Sequence, residues 1–306
     1  FCGLNAGTMK FRSKSPQRFV EEVIQLSRRH RSYHVEAVDN IIDMSYFQTV
    51  LPVMEGLNTS WNVFYEVKSN LKTEQIAALA RAGIRRIQPG IESLSSPVLK
   101  LMRKGVRAIQ NVNLLRWCKY HSIRVSWNLL WGFPGELAAY YETQLALLPR
   151  LRHLQPPDGC GRLWMERFSP LYTQRELLGV TDVQPSASYS LVYPPSVDLG
   201  KAAYFFDYRV KGALPEAVFE PLAEAVEYWR KAHREDPAPR LTCLSAPGHL
   251  RITDLRWPDR TGTYELDGEL AAIYQALMEQ PTSIEAAARA TGLHPGRVEE
   301  AIAAFD

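Results

Sequence analysis

The sequence lacks the features that mark several large classes of protein. Its 306 residues contain only four cysteines, Cys2, Cys118, Cys160 and Cys243, which are too widely spaced for the disulfide framework of a small secreted domain. We therefore expect a cytoplasmic protein. No apolar run approaches the roughly 18–20 residues that cross a bilayer, so we expect no membrane partner.

An excess of charge of one sign is also missing. The 36 Lys and Arg residues nearly balance the 33 Asp and Glu residues, which leaves a net charge of +3. Such a balance gives no broad basic surface for nucleic acid. The 46% of residues that are apolar are enough to fill a large core.

Three common catalytic motifs are not found. The sequence has no His-Glu-x-x-His zinc site, no phosphate-binding Gly-x-x-x-x-Gly-Lys loop and no Gly-x-Ser-x-Gly nucleophile turn. The seven histidines are dispersed. Function must therefore be inferred from other polar residues.

From Ser13 to about Pro170, short β-rich runs alternate with helical patterns. This alternation is typical of βα units and a parallel sheet. The predicted strands lie near residues 33–42, 62–67, 84–91, 123–131 and 162–168. Since parallel strands with right-handed crossovers close naturally into a barrel, we predict an α/β fold with a partial (β/α) TIM-like barrel. An open doubly wound sheet is the structural alternative.

The regular pattern fades after Pro170, so we divide the chain into three regions. Residues 1–175 are the predicted barrel, 176–262 an irregular extension, and 263–306 a small helical module. The last region has a helix-turn-helix outline, with helices near residues 283–290 and 296–305. The second of these helices carries Arg297 against several acidic side chains, which argues against insertion into a nucleic-acid groove. A peptide-binding module or a purely structural appendage fits better.

Polar residues follow the predicted strands, where the active site of a parallel barrel is built. They are Asp39 and Asn40, then Glu66 and Lys68, Glu92 and Ser93, Asn128 with the turn from Trp131 to Glu136, and finally Glu166. Buried charges need partners, so we expect these side chains to share one site.

Plainer interpretations of these residues remain open. Asp39 and Asn40 could cap the helix predicted near Ser45. Glu92 and Ser93 could begin the next helix, with the Glu92 charge favoured by the helix dipole. The residues from Gly132 to Glu136 could form an ordinary tight turn without a role in binding. Lys68 could be a solvated lysine at the end of a strand. Cys118 lies among apolar helix positions and is expected in the core.

Several strings, in their order and spacing, resemble one family. They are Phe1-Cys2-Gly3-Leu4-Asn5, Phe11 to Pro16, Val38-Asp39-Asn40, Glu66 to Leu71, Gln88 to Ser93 and Trp131 to Glu136. Over roughly residues 1 to 260 the chain resembles the radical S-adenosylmethionine (SAM) enzymes. Within them it resembles the cobalamin-associated group that matures ribosomally synthesised peptides.

The resemblance implies cofactors and contacts for individual residues. In the family, three cysteine thiolates hold a [4Fe–4S] cluster, and Cys2 corresponds to the third of them. Phe1 corresponds to a residue that meets adenine, and Asp39 and Asn40 to contacts of the methionyl amine. The other residues that the resemblance places in contact with SAM are Lys68, Glu92, Ser93, Asn128, Gly132, Pro134 and Gly135.

The resemblance also implies an activity, which is C-methylation of a peptide precursor with SAM, the [4Fe–4S] cluster and cobalamin as cofactors. It further implies an electron donor as a partner. Epimerisation or cross-linking of the peptide are further outcomes. Because Phe1 begins mid-motif, we expect a truncated sequence that is inactive alone. Two alternatives remain, a non-catalytic peptide-binding remnant and an ordinary barrel lyase or aldolase that uses Lys68.

Overall fold

The computed structural model describes residues 11–39 and 41–305. Phe1, Cys2 and Asn40 lie outside the described residues, so the predictions made for them stay predictions. Within the described part, the chain builds a parallel α/β region first and two antiparallel sheets after it.

Six short parallel strands form the first region. They are β1 (His34–Glu36), β2 (Asn62–Glu66), β3 (Ile84–Gln88), β4 (Arg124–Val125), β5 (Asn128–Trp131) and β6 (Gly159–Arg162). Strands β1 to β4 pair in chain order, and β5 pairs with β6. A parallel bridge between Glu92 and Leu129 joins the two groups, and the N–H of Leu130 donates to the Glu92 carbonyl at 2.9 Å. The predicted parallel sheet is confirmed.

The helices between these strands have clear sequence causes. They are α1 (Pro16–His30), α2 (Tyr46–Thr49), α3 (Leu51–Gly56), α4 (Thr73–Arg81), α5 (Ser96–Leu101), α6 (Ala108–Tyr120) and α7 (Ala138–Leu151). The α1 helix begins as its sequence predicts, since the Ser15 hydroxyl accepts from the N–H of Arg18 and Pro16 occupies the first helical position. Gly83 follows α4 with a φ of 83°, a conformation that favours glycine.

The helices seal only one face of the parallel sheet. Val63 and Tyr65 of β2, and Leu129 and Trp131 of β5, are buried under them, whereas the alternate residues of these strands are half-buried or exposed. Successive strand residues point to opposite faces, and a doubly wound sheet is covered on both. The one-sided burial therefore disfavours the doubly wound alternative.

An extra residue in β3 keeps this burial pattern consistent. Val63 pairs with Ile84, but its neighbour Phe64 pairs with Arg86, so Arg85 has no partner across the strands. The bulge resets the alternation. Ile84 and Ile87, three residues apart, are consequently both buried.

After β6 the chain leaves the parallel sheet. The prediction of a parallel strand over 162–168 is wrong, because the short β7 strand in that range (Met165–Glu166) pairs antiparallel with a later strand. Its apolar residue Met165 belongs to a second core with Leu171 and Phe206. The true parallel strand, β6, contains Gly159 and Gly161, and glycine is disfavoured in strands. This composition explains why the pattern missed it.

The second region continues with short helices and two longer strands. These elements are α8 (Pro170–Thr173), β8 (Val180–Pro185), α9 (Tyr189–Val192), α10 (Leu199–Ala202) and β9 (Phe205–Val210). Strand β9 lies between β7 and β8. A 3-10 helix at Glu216–Val218 then leads into α11 (Glu220–Ala232), which packs back on α7 and β6.

A second antiparallel sheet and three helices complete the chain. They are β10 (Arg240–Ala246), β11 (His249–Leu255), β12 (Gly262–Asp267), α12 (Gly268–Glu279), α13 (Ile284–Thr291) and α14 (Pro295–Ala304). The two helices expected in the last region are confirmed to within one residue at each end. The expectation of an irregular stretch over 176–262 is corrected, since most of it is strand or helix. The domain boundaries themselves stay a prediction.

Three apolar cores hold the described residues together. The first runs from Val20 to Leu154 and includes α11 side chains. A smaller one lies under β7 to β9, and another joins α12 to α14. Among residues 11–39 and 41–305, no helix has the length and apolar character needed to span a membrane.

Phe219 links α11 to the first core and gives a test of the fold. It is 2% exposed, stacks on Trp131 with ring centroids 5.1 Å apart, and meets the Tyr141 ring edge-on at 4.8 Å. We expect Phe219→Ala to lower the free energy of unfolding by about 3–5 kcal/mol, because it leaves a cavity between three elements. Urea unfolding followed by tryptophan fluorescence measures this loss.

Leu177→Ala is the matched control. Leu177 is 80% exposed, so its truncation should change stability by no more than about 0.5 kcal/mol. Equal losses in the two variants would contradict the packing of α11 against the parallel region.

Candidate functional site

The face of the parallel sheet away from the helices carries polar side chains, and we call it the open face. It is defined by Glu36, Phe64, Arg86, Glu66 and Gln88, which neighbour one another across β1, β2 and β3. Arg86 Nη1 lies 3.3 Å from Glu36 Oε1, and its guanidinium carbon lies 5.4 Å from the Phe64 ring centroid. These contacts show that the three side chains share this face.

Glu66 is the most isolated carboxylate of the open face. It ends β2 half-buried, and burial raises its pKa above the ordinary glutamate value. Among the described residues its side chain has no hydrogen-bond or ion-pair partner. Burying a carboxylate without a partner costs free energy, and a ligand that offers a positive charge or hydroxyl groups would offset that cost. Lys68, two residues on, is exposed and likewise has no ion-pair partner within the described ranges.

Asp39 lies beside the same strand. Its carboxylate accepts a hydrogen bond from the hydroxyl of Tyr65 on β2. Burial, followed by this hydrogen bond, raises the pKa of Tyr65. The capping alternative for Asp39 fails, because Asp43 Oδ1 accepts from the N–H of Ser45 at 2.8 Å before α2. Asp39 is exposed apart from its Tyr65 contact.

Glu92 has the most unusual backbone of the predicted site residues. Its φ is +60°, a left-handed conformation that costs a non-glycine residue about 1–3 kcal/mol and is most frequent at functional sites. Its side chain is 23% exposed, and burial raises its pKa while Lys104, at 3.9 Å, opposes the shift.

Gly90 keeps the space beside Glu92 open. A Cβ at Gly90 would lie 3.2 Å from Lys104 Nζ and 3.5 Å from Glu92 Oε1, and its φ is +57°. A side chain there would therefore crowd both charged groups. The Gln88-Pro89-Gly90-Ile91-Glu92 segment forms a small cradle with a carboxylate and an ammonium at its edge.

Ser93 is placed differently from its neighbour. Its hydroxyl is fully buried, donates to Gln144 Oε1 at 2.9 Å and accepts from the N–H of Ser95 at 3.0 Å. The side-chain amide of Asn111 donates to the Ser93 carbonyl at 2.9 Å. Ser93 thus ties α6 and α7 to the end of β3, and its hydroxyl is not presented to the open face.

The turn after β5 is closed by its own glutamate. Glu136 is 6% exposed and accepts from the N–H groups of Gly132 and Phe133 at 3.0 Å and from the Tyr141 hydroxyl at 2.6 Å. Burial raises the pKa of Glu136 against these donors. Gly132 has a φ of +91°, and a Cβ there would approach Arg162 Cγ to 3.0 Å. Glutamate and glycine therefore fix the turn together.

The remaining predicted residues lie around this turn and β5. Pro134 is half-buried at the turn, Gly135 is exposed beside it with a φ of +83°, and Asn128 begins β5 with its side chain over Gly159. Strand pairing brings Glu66 level with Gln88 and Glu92 level with Leu129. The structure thus places the polar groups on adjacent strands at one edge, with Ser93 turned away.

Metal ligands are a separate question. Among the described residues, no group of three or more His, Cys, Asp or Glu side chains could hold a metal ion. Cys118 is buried in the first core, where burial raises the pKa of its thiol to about 12, as it does for Cys160 on β6. Cys243 lies in the second antiparallel sheet. These three cysteines do not fit a cluster site, and Cys2 lies outside the described residues.

Some contact residues gave no sequence signal. Lys104 lies after α5, and nothing in the local sequence indicates that it contacts Glu92. Arg86 lies in an amphipathic strand, and the sequence does not indicate on which face of the sheet its side chain lies. Glu216 reaches Arg162 at 3.1 Å and the Trp131 indole N–H at 3.2 Å. Each of these two contacts joins residues more than 50 positions apart in the sequence, so no local pattern could identify it.

Comparison with known sequences finds a distant relative of part of the chain. No protein-family model matches the chain. An uncharacterized methyltransferase of Pyrococcus horikoshii is 24% identical over 147 residues, which is 46% of this chain and 32% of that protein. The chain therefore spans about a third of the length of this curated relative.

Solved structures give a likeness of fold. The radical SAM methyltransferase TsrM of Kitasatospora setae, with cobalamin and a [4Fe–4S] cluster bound, matches 96% of this chain and 56% of its own, with a TM-score of 0.51 and 14% identity. TsrM with tryptophan substrate and a SAM analogue matches 74% of this chain and 47% of its own, with a TM-score of 0.50. The chain therefore shares its α/β fold with about half of TsrM.

Glu136 provides a test of how the site is held. Glu136→Ala would leave two backbone N–H groups and the Tyr141 hydroxyl without their acceptor in a buried turn. We expect a loss of about 2–3 kcal/mol in the free energy of unfolding, which chemical denaturation measures.

Glu142→Ala, on the α7 helix that follows the turn, is the control. Glu142 is exposed and makes no hydrogen bond or ion pair within the described ranges, so its removal should cost less than about 0.5 kcal/mol. A Glu136→Ala protein as stable as this control would show that the turn does not depend on the carboxylate.

Proposed function

We propose that the chain is the SAM-binding part of a radical SAM enzyme. The observation that carries the proposal is the pair of carboxylates, Glu66 and Glu92, at the carboxyl ends of β2 and β3. Parallel α/β folds bind their ligands at this end. SAM offers a sulfonium, an ammonium and ribose hydroxyls, all of which suit carboxylates that are partly buried and sparsely paired.

Two further findings support the proposal. The fold is similar to that of TsrM over nearly the whole chain. The helices also cover only one face of the sheet, as in a (β/α) barrel that is open over the described residues. The motif resemblance adds to these findings, because four of the six strings begin at or just after the ends of β1, β2, β3 and β5.

The chain's own residues would divide the work of binding. Glu92 would accept hydrogen bonds from ribose or amine groups beside the open cradle at Gly90, and Glu66 and Asp39 would face the ammonium. Lys68, exposed at the end of β2, would pair with the methionyl carboxylate. The turn held by Glu136 would place Gly132 and Pro134 against the adenine of SAM. Binding energy of this kind orients a cofactor and excludes water.

The described cysteines do not fit a cluster site, so we assign Cys2, which lies outside the described residues, as the ligand that this sequence would offer to a [4Fe–4S] cluster. When bound, such a cluster supplies the electron that cleaves SAM. An electron donor would be a required partner. No step of the reaction is assigned to the described residues beyond binding and orientation.

The finer function is methyl transfer to a peptide precursor with cobalamin as a further cofactor. TsrM carries cobalamin in its structure, and the Pyrococcus relative is named a methyltransferase. The motif resemblance points to ribosomally synthesised peptides as substrates, in the cytoplasm. A lyase that uses Lys68 is less favoured, because amine nucleophiles are usually activated by desolvation or a neighbouring cation, and Lys68 is exposed.

The C-terminal region fits a winged-helix-like module. Three antiparallel strands, β10 to β12, are followed by the three helices α12 to α14, which share a compact core of Ile273, Ala287 and Val298. A module of this composition would assist the barrel as a peptide-holding or packing element.

SAM binding tests the proposal directly. We expect Glu92→Gln to weaken SAM binding to the full chain about tenfold, since it removes a charge-assisted acceptor. Isothermal titration calorimetry measures the dissociation constants.

Glu74→Gln is the matched control, because Glu74 is exposed in the first turn of α4 on the helical side of the sheet. Its dissociation constant should stay within about twofold of the unaltered chain. Absence of SAM binding by the unaltered chain, or equal binding by the Glu92→Gln protein, would refute the assignment of the site.

Methyl transfer needs its own measurement. The full-length protein, reduced anaerobically with methylcobalamin and SAM bearing a labelled methyl group, should add that group to a precursor peptide, as detected by mass spectrometry. Glu92→Gln should reduce turnover at least tenfold at subsaturating SAM. SAM cleavage without peptide labelling would leave a radical SAM enzyme of another reaction class.

A further inference from the structure

A cavity lies between the parallel region and the C-terminal sheet and helices. Its volume is about 820 Å³, and α6, the segment after α7, β10, β11, α12 and Phe305 line it. It shares no lining residue with the candidate site. Cavities of roughly 300–1,000 Å³ at boundaries between regions are typical of small-molecule sites.

The charged residues on the described wall of this cavity are basic. Arg116 and Lys119 on α6 and Arg240 on β10 line it, and none of the lining residues that the structure describes is acidic. Within residues 11–39 and 41–305, these three side chains have no ion-pair partner. His153, also on the wall, stays neutral at pH 7, because burial lowers its pKa to about 4.

Arg116 is the informative member of the set. It is half-buried on α6, and burial lowers its pKa. Its guanidinium carbon lies 4.9 Å from the Trp117 ring centroid, so an aromatic face is its nearest compensation. A half-buried cation without a counter-ion costs free energy that an anionic ligand would recover.

The rest of the wall is aromatic and apolar. Trp117 and Tyr120 form an edge-on pair at 5.3 Å on one side, and Tyr274 and Phe305 form another at 5.1 Å on the opposite side. The Trp117 indole N–H is buried and has no hydrogen-bond partner in the described ranges. Two aromatic walls suit a flat apolar body, and the cations suit an acidic group attached to it.

We infer that this cavity is a binding site for a small organic anion with an aromatic or other flat apolar body. The site is independent of the proposed function, since it lies between α6 and the C-terminal region and uses none of the residues assigned to SAM. Arg116 and Lys119 hold the acidic group, and the aromatic pairs hold the body.

Fluorescent probes test this site on the full chain. Anilinonaphthalene sulfonate carries an aromatic body and an anionic group, and phenylnaphthylamine has the same ring system without the sulfonate. We expect saturable binding of the sulfonate, and a dissociation constant about tenfold higher in the double variant Arg116→Gln with Lys119→Gln. Binding of the uncharged probe should change by less than about twofold.

Arg28→Gln is the matched control, because Arg28 lines a separate cavity of about 660 Å³ formed by the end of α1 and the segment before β2. It should leave sulfonate binding unchanged. Thermal unfolding curves that match the unaltered chain would show that the double variant is folded. The inference is overturned if the sulfonate does not saturate, if the double variant binds it as tightly as the unaltered chain, or if Arg28→Gln alone weakens it.

Discussion

The unequal burial of the two faces of the parallel sheet determines most of this structure. Val63, Tyr65, Leu129 and Trp131 take the sealed face, where apolar area removed from water stabilises the fold. The opposite face is then left to residues that tolerate partial exposure, and these are the charged and amide side chains of the strand ends. The polar composition of the open face therefore follows from the way in which the core is built.

The charged groups of the site are held in two physically different ways. Glu136 is satisfied by its own turn and Tyr141, so its buried charge strengthens the backbone. Glu66 and Glu92 have few or no partners, and burial raises their pKa values. The first arrangement stabilises the protein, and the second leaves buried carboxylate charge that costs stability.

The sequence allowed the parallel α/β class to be predicted, because periodicity reports local burial and short βα connections leave few topologies. Helices α13 and α14 were predicted to within one residue of their observed bounds. The contacts that depend on distant segments could not be predicted. Lys104 beside Glu92, the buried direction of Ser93 and the shift of the last parallel strand to Gly159 all depend on tertiary packing, which overrides local preference.

The bulge at Arg85 determines which residues of β3 face the helices. Ile84 and Ile87 are three positions apart, so both lie on the sealed face only because one surplus residue bulges between them. If the same strand paired without the bulge, every side chain after Ile84 would change face. Ile87 would then meet solvent, and Arg86 and Gln88 would be driven beneath the helices. The bulge therefore also sets the register of the segment that leads to Gly90 and Glu92.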